Sequence, residues 1–101
     1  MPSLNVLYPQ PTNQDKFEGD YTDHIKMLHD KMGIPADARP YTITKFVDGP
    51  AGPAAYYQMF SMPFESVEAI GEAMSSPQMQ EVAADANRIS SGGQPVILIG
   101  G

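Results

Sequence analysis

A chain of 101 residues has room for one domain, and 42% hydrophobic with 18% charged residues is an ordinary composition for a soluble globular protein. A net charge of −6, with only six scattered Lys and Arg residues, argues against binding nucleic acid or an anionic membrane, since both need clustered basic side chains. The lack of cysteine excludes disulfides and thiolate chemistry, and no segment resembles a signal peptide or a membrane span, so we expect a cytoplasmic protein.

The first half of the chain predicts a strand, a helix and a hairpin. Residues 4–8 are apolar and β-prone, and the prolines that follow them end the strand. Apolar residues then recur at spacings of three and four over residues 13–32, the pattern of an amphipathic helix that Gly33 is placed to end. The apolar stripe of this helix contains Phe17, Tyr21, Ile25, Leu28 and Met32. Residues 41–47 and 55–62 are rich in β-branched and aromatic residues, and the turn sequence DGPAGP between them predicts a hairpin.

The second half predicts a broken helix and a last strand. A helical segment spans residues 65–74, and Ser76 followed by Pro77 then forms the N-cap and the first position of another helix. The apolar periodicity of that helix continues to Ile89, after which serines and glycines end it. Residues 96–99 (VILI) are apolar without alternation, which is typical of a strand that is covered on both faces.

The order of elements, β-α-β-β-α-β, is the ferredoxin-like pattern. It predicts one domain over residues 1–101 with an α+β fold, in which a four-stranded antiparallel sheet carries its helices on one face. In so short a chain, the second apolar face of the last strand is most simply covered by another copy of the protein. We therefore expect a homodimer whose two sheets pack face to face.

Short stretches spread along the chain, in a consistent order, carry a resemblance to a known family. They are Val6–Pro9, Phe17 with Asp20–Tyr21 and His24, and residues 49–57, 64–69, 84–87 and 94–97. Together they resemble the EthD family, which is named for ethyl tert-butyl ether degradation and belongs to the dimeric α+β barrel superfamily. The resemblance implies such a barrel, and a link to the oxidative breakdown of organic compounds. Related barrels include cofactor-free monooxygenases, isomerases and lyases, whose ligands commonly lie between sheet and helices, so the resemblance implies a small organic ligand and no cofactor.

His24 is the candidate catalytic residue. It lies three residues after Tyr21 and four before Leu28, so it shares the buried stripe of the predicted helix. A neutral imidazole beside a ligand can act as a general base, and Tyr21 would orient either the imidazole or the ligand. The alternative is a structural histidine whose ring nitrogens are satisfied by the backbone or by Tyr21. The sequence leaves both alternatives open.

Tyr8, Tyr57 and Asn87 are candidates for lining a ligand pocket. Phenolic hydroxyls beside an apolar cavity suit an aromatic or carbonyl-bearing compound, and Asn87 borders the apolar stripe of the last helix. For each of the three, an ordinary packing or surface role is the alternative. His29 lies about 140° round the helix from His24, so these two rings do not chelate one ion, and no metal site is predicted.

Two functional hypotheses follow, beside a third in which the protein is a purely structural dimer with a filled core and no ligand. The first is an EthD-like protein that binds an aromatic or carbonyl-bearing compound and oxidises it, or transfers a proton, without a tightly bound cofactor. The second is a non-catalytic carrier, or an accessory protein for a separate oxygenase system, which the sparse set of catalytic residues favours. Neither a nucleotide-binding glycine pattern nor a serine nucleophile motif is found in the sequence.

Overall fold

A computed structural model describes residues 1–101, and its elements follow the predicted order. They are β1 (Ser3–Pro9), α1 (Gln14–Met32), β2 (Thr42–Lys45), β3 (Tyr56–Pro63), α2 (Val67–Ser75), α3 (Pro77–Ile89) and β4 (Val96–Gly100). The strands form one antiparallel sheet in the order β2-β3-β1-β4. The predicted α+β, ferredoxin-like fold is therefore confirmed. None of the helices is long and apolar enough to span a bilayer.

Local side chains set the ends of the helices. Asn13 caps α1 by accepting a hydrogen bond from a first-turn N–H, and Gly33 ends it with a left-handed φ of 68°. Ser66 is the N-cap of α2, so this helix begins later than the sequence predicts. Ser76 ends α2 and caps α3, and Pro77 occupies the first turn of α3 as predicted. The broken second helix thus turns at a serine that serves both of its halves.

The core forms two clusters under the helices. One contains Leu28, Tyr41, Phe60, Met62, Met79 and Val82. The other contains Tyr8, Phe17, Tyr21, Ala86 and Ile89. In this second cluster the rings of Tyr8, Phe17 and Tyr21 lie 5.3–5.6 Å apart, centroid to centroid. Each such aromatic pair contributes about 0.5–1.5 kcal/mol beyond its area burial, so the cluster fixes α1 on β1.

A bulge in β3 decides where one candidate residue points. Tyr8 pairs with Gln58 but the next residue, Pro9, pairs with Tyr56, so Tyr57 is an extra residue in the ladder. The ring of Tyr57 packs edge-on against an aromatic residue of α1, with centroids 5.6 Å apart. Gln58 is buried beside it, so both side chains lie on the helix-covered side of the sheet.

The last strand, β4, lies at one edge of the sheet and is not covered within the chain. Ile97 and Ile99 pair with β1 residues that face the helices, yet 42% and 48% of their surface is exposed. Leu98 faces the other side and is 53% exposed. The cover that the apolar sequence of this strand predicts is therefore not supplied by the chain itself.

Candidate functional site

A cavity of about 80 Å³ lies between the helices and the sheet. Eleven of its fourteen lining residues are hydrophobic, which suits a mainly apolar ligand. The polar ones are Tyr8, His24 and Asn87. Tyr8 and His24 are only 1% and 5% exposed and, with several equally buried apolar residues, form the deep end of the cavity, whereas Asn87 and Ile97 are exposed. The mouth of the cavity therefore lies between α3 and β4.

His24 is held in place by a carboxylate from α3. Its Nδ1 lies 2.8 Å from Oδ2 of Asp85, and Oδ1 of Asp85 accepts a hydrogen bond from Nε of Arg88 at 2.8 Å. A carboxylate only accepts, so the neutral imidazole carries its proton on Nδ1 and Nε2 is left unprotonated. Lys31 and Glu81 form a second contact between α1 and α3, with Nζ and Oε2 2.6 Å apart. The buried His24–Asp85 contact is the one that positions α1 against α3, because an exposed ion pair such as Lys31–Glu81 adds little stability.

Burial and pairing shift the pKa values of His24 and Asp85 in opposite directions. Burial lowers the pKa of His24 below its ordinary 6.5, although the hydrogen bond and the charge of Asp85 favour the protonated ring. Burial alone would raise the pKa of Asp85, but hydrogen bonds from His24 and Arg88 outweigh it and lower that pKa. At neutral pH the site therefore holds a neutral imidazole against an ionised carboxylate. Such a pair leaves Nε2 of His24 available as a proton acceptor.

The hydroxyl of Tyr8 is the second polar group at the deep end. Its ring is fixed edge-on against Phe17 and Tyr21. The chain's hydrogen bonds do not use its O–H, and the completely enclosed unpaired atoms are those of Tyr21 and Gln58, so the Tyr8 hydroxyl borders the open space of the cavity. Burial raises the pKa of Tyr8 well above its ordinary value of 10, and the negative charge of Asp85 raises it further. The phenol therefore stays protonated at any physiological pH and presents a donor to the cavity.

Tyr21 contacts His24 but does not hold it. The two rings lie 5.7 Å apart at an angle of 35°, while Asp85 supplies the hydrogen bond that orients the imidazole. The Tyr21 hydroxyl is buried without a hydrogen-bond partner, as is Nε2 of the nearby Gln58. Burial raises the pKa of Tyr21, and the neighbouring Tyr8 adds to the increase. Tyr21 supports the wall behind His24 and does not line the cavity.

The structure separates the other two pocket candidates. Asn87 lines the cavity mouth, where its amide donates to the carbonyl of Ala83 at 3.1 Å. Tyr57 lies outside the cavity, and its hydroxyl donates to Glu18 at 2.5 Å. Lys45 also binds that carboxylate and lies 5.1 Å above the Tyr57 ring. The hydrogen bond to Glu18 raises the pKa of Tyr57 to about 12. Tyr57 thus belongs to a polar contact between α1 and the sheet.

His29 occupies a different environment from His24. Its Nδ1 donates to the carbonyl of Pro35 at 3.0 Å, and its Nε2 accepts from the hydroxyl of Tyr41 at 2.6 Å. Both ring nitrogens are thus used to tie the C-terminal end of α1 to the segment that leads into β2. No group of three or more His, Asp or Glu side chains in the structure is arranged to hold a metal ion.

The model of the EthD domain matches residues 9–93, which is most of the chain. The chain belongs to the EthD family. An EthD family protein from Bacillus halodurans has a similar solved structure, with a TM-score of 0.81, 24% identity, and coverage of 100% of this chain and 97% of that one. A comparison with curated protein sequences gives no match.

Two further structures share the fold of this EthD protein at lower identity. A dimeric ferredoxin-like protein of unknown function from Jannaschia sp. has a TM-score of 0.69 at 10% identity, covering 98% of this chain and 97% of that one. A hydroxynitrile lyase from Passiflora edulis has a TM-score of 0.66 at 16% identity, covering 97% and 90%. At these identities the likeness establishes the fold and leaves the chemistry to the site.

Asp85 is the site residue that the sequence analysis did not single out. Its position carried a signal, since it lies three residues after Val82 and four before Ile89, at the border of the apolar stripe of α3. A carboxylate at the edge of a buried helix face needs a hydrogen-bond or charge partner. His24 is the ionisable residue on the buried face of α1, so it was the candidate for that partner.

The stability of this EthD protein is expected to fall as the pH falls from about 7.5 to 5.5, in part because of His24. A folded-state pKa below 6.5 means that the unfolded chain binds the proton first, so His24 stabilises the fold above 6.5 and this contribution is lost on acidification. Asp85, Arg88, Tyr8 and Tyr21 surround the ring, and none of them is expected to change charge in this range, since the pKa of Asp85 is lowered and those of the other three are raised.

Denaturant unfolding of wild type and His24→Gln across this range measures the effect. The two proteins differ only at this residue, so the difference between their free energies of unfolding isolates His24. The wild type should lose its advantage as the pH falls. An advantage that grows on acidification would show instead that the folded state holds His24 protonated.

Proposed function

We propose that this EthD protein binds a small, mainly apolar organic compound in the cavity, with Nε2 of His24 as its hydrogen-bond partner or base. One observation carries the proposal: the deep end of an otherwise apolar cavity holds a buried, neutral imidazole whose other nitrogen is fixed by Asp85. A structural histidine needs no open cavity beside it. An aromatic or carbonyl-bearing compound suits walls of this composition.

Proton transfer is the chemistry that the residues of the cavity support. A buried imidazole that is paired with a carboxylate through Nδ1 and free at Nε2 is the arrangement of a general base. Oxidoreductase activity rests on the family resemblance, and the hydroxynitrile lyase from Passiflora edulis is an enzyme on the same fold. A carrier or accessory role is the second candidate, favoured by the small number of polar groups in the cavity. Incubation of a substrate with the purified protein distinguishes the two. An enzyme would consume the substrate alone, whereas a carrier or accessory protein would do so only when an oxygenase system is added.

The functional unit is proposed to be a homodimer. The three exposed apolar residues of β4, Ile97, Leu98 and Ile99, support this, because apolar side chains that the chain itself leaves uncovered are typical of a surface that binds another protein. The similar fold of a dimeric protein from Jannaschia sp. supports it as well. Light scattering should give twice the 11.0 kDa mass of one chain, and the mass of one chain at every concentration would contradict the proposal.

Filling the cavity tests the binding proposal. Ala83 lines the cavity, whereas its neighbour Ala84 is exposed and does not. Ala83→Leu adds three carbons to the space near the mouth and should abolish the rise in melting temperature that small aromatic and carbonyl compounds produce in wild type. Ala84→Leu adds the same atoms outside and should leave the rise intact. Equal rises in all three proteins would place binding elsewhere and contradict the proposal.

A further inference from the structure

We propose that the ligand is an enolisable carbonyl compound, whose carbonyl oxygen accepts the hydrogen bond of Tyr8 while Nε2 of His24 removes a proton from the adjacent carbon. This inference rests on the proposed function, since it names the substrate class of the same cavity. Tyr8 is thereby assigned a role in the chemistry as well as in packing.

The two groups at the deep end have complementary hydrogen-bonding character. Tyr8 offers a protonated hydroxyl with no acceptor in the chain, and His24 offers an unprotonated nitrogen with no donor. Both are more than nine-tenths buried, and both line the same small cavity. A ligand that satisfies both accepts a hydrogen bond from Tyr8 at one atom and offers a hydrogen, as a donor or as an acid, to Nε2 of His24 at another. A carbonyl group with a hydrogen on the adjacent carbon has these two properties.

The shape of the cavity orients such a ligand. The polar pair belongs to the buried part of the lining, and the rest of the lining is apolar except for Asn87 at the mouth. The carbonyl end of the ligand therefore enters first and its hydrocarbon part lies towards β4. The volume of about 80 Å³ is smaller than the roughly 150 Å³ of an engineered cavity that binds benzene, so the buried part of the ligand is small.

The proton transfer balances without any further reactant. The electron pair of the C–H bond becomes a C=C bond, the electrons of the C=O bond move to oxygen, and the proton moves to Nε2 of His24. The hydroxyl of Tyr8 stabilises the developing enolate oxygen, and Asp85 stabilises the imidazolium. Return of a proton from His24 to the same carbon regenerates the ketone, and in deuterated water it delivers deuterium.

Butanone is a probe of suitable size, and 2-methylbut-1-ene is its isostere without the acceptor oxygen. Wild type should bind both, as measured by thermal shift, and should catalyse exchange of the α-hydrogens of butanone in deuterated water, followed by proton NMR. Tyr8→Phe keeps the ring that packs against Phe17 and should leave the shift with the alkene unchanged. It should slow the exchange about 100- to 1,000-fold, the usual effect of removing one oxyanion donor.

The outcomes separate this inference from the binding proposal. If neither probe raises the melting temperature of wild type, both ideas fail. If both probes bind but no protein-dependent exchange occurs, binding stands and the carbonyl chemistry is wrong. Exchange that is equally fast in Tyr8→Phe would overturn the assignment of Tyr8. Exchange that survives in His24→Gln would overturn the assignment of the base.

Discussion

Asp85→Asn is expected to slow the proposed proton exchange by about 10² to 10⁴-fold, the range that a positioned general base contributes. In the wild type, Oδ1 of Asp85 accepts from Arg88 and Oδ2 accepts from Nδ1 of His24. An asparagine would keep its oxygen towards Arg88 and turn its NH₂ group towards Nδ1. The imidazole would then carry its proton on Nε2. The ligand would meet a hydrogen-bond donor there, and no base would be available to remove its proton.

The nitrogen NMR spectrum of His24 separates this positioning role from a loss of structure. Wild type should show a protonated Nδ1 and a bare Nε2, and Asp85→Asn should show the reverse, with an unchanged circular dichroism spectrum. Arg88→Gln is a useful control, because it removes a contact of Asp85 but leaves the carboxylate that selects the tautomer. An Asp85→Asn variant with wild-type exchange and a wild-type tautomer would show that the carboxylate does not position the base.

Gly92→Ala is expected to destabilise the protein by about 3 kcal/mol, the upper part of the usual range for overpacking. A Cβ at Gly92 would lie 1.8 Å from the backbone oxygen of Gln10, so the segment after α3 would have to move away from the end of β1. That segment is fixed there by the Thr12 N–H, which donates to Oγ of Ser91 at 3.0 Å. Since Pro95 lines the cavity, the displacement should also weaken ligand binding.

Gly71→Ala is the matched control for this substitution. Gly71 lies inside α2, and a Cβ there would meet nothing within 4 Å. Alanine in a helix interior is favoured over glycine, so we expect a gain of about 0.5–1 kcal/mol. Urea unfolding of both variants measures the two changes. Equal stabilities for Gly92→Ala and wild type would mean that the segment after α3 moves without cost.

The sequence predicted the order of the elements because each carries a strong local pattern. The stripe of α1 was largely confirmed: Phe17, Tyr21, His24 and Leu28 are buried, whereas Ile25 and Met32 are only partly buried against the core. The ends of strands were less predictable: β2 covers Thr42–Lys45, inside the predicted 41–47. Tyr41 precedes the strand, is buried in the core and makes no strand pairing, and its hydroxyl hydrogen-bonds to His29 of α1. The strand propensity of residues 41–47 does not predict this contact with a helix.

The parts of the site that depend on contacts between distant segments could not be predicted from the sequence. The placement of His24 on the buried face followed from spacing, but its partner Asp85 is 61 residues away in the chain. The position of Tyr57 outside the cavity depends on a bulge whose origin is the register between β1 and β3. Propensity and periodicity describe one segment at a time, whereas a register is a property of two.

Methyl NMR during a titration with butanone tests the central claim that the cavity beside His24 is the ligand site. Leu4, Val82 and Ile97 line the cavity, and the exposed Val47 and Val67 lie outside it. We expect saturable shifts of the cavity methyl signals, with those of the two outside valines unchanged. Shifts of equal size at the outside valines, or none in the cavity at saturating butanone, would contradict the account.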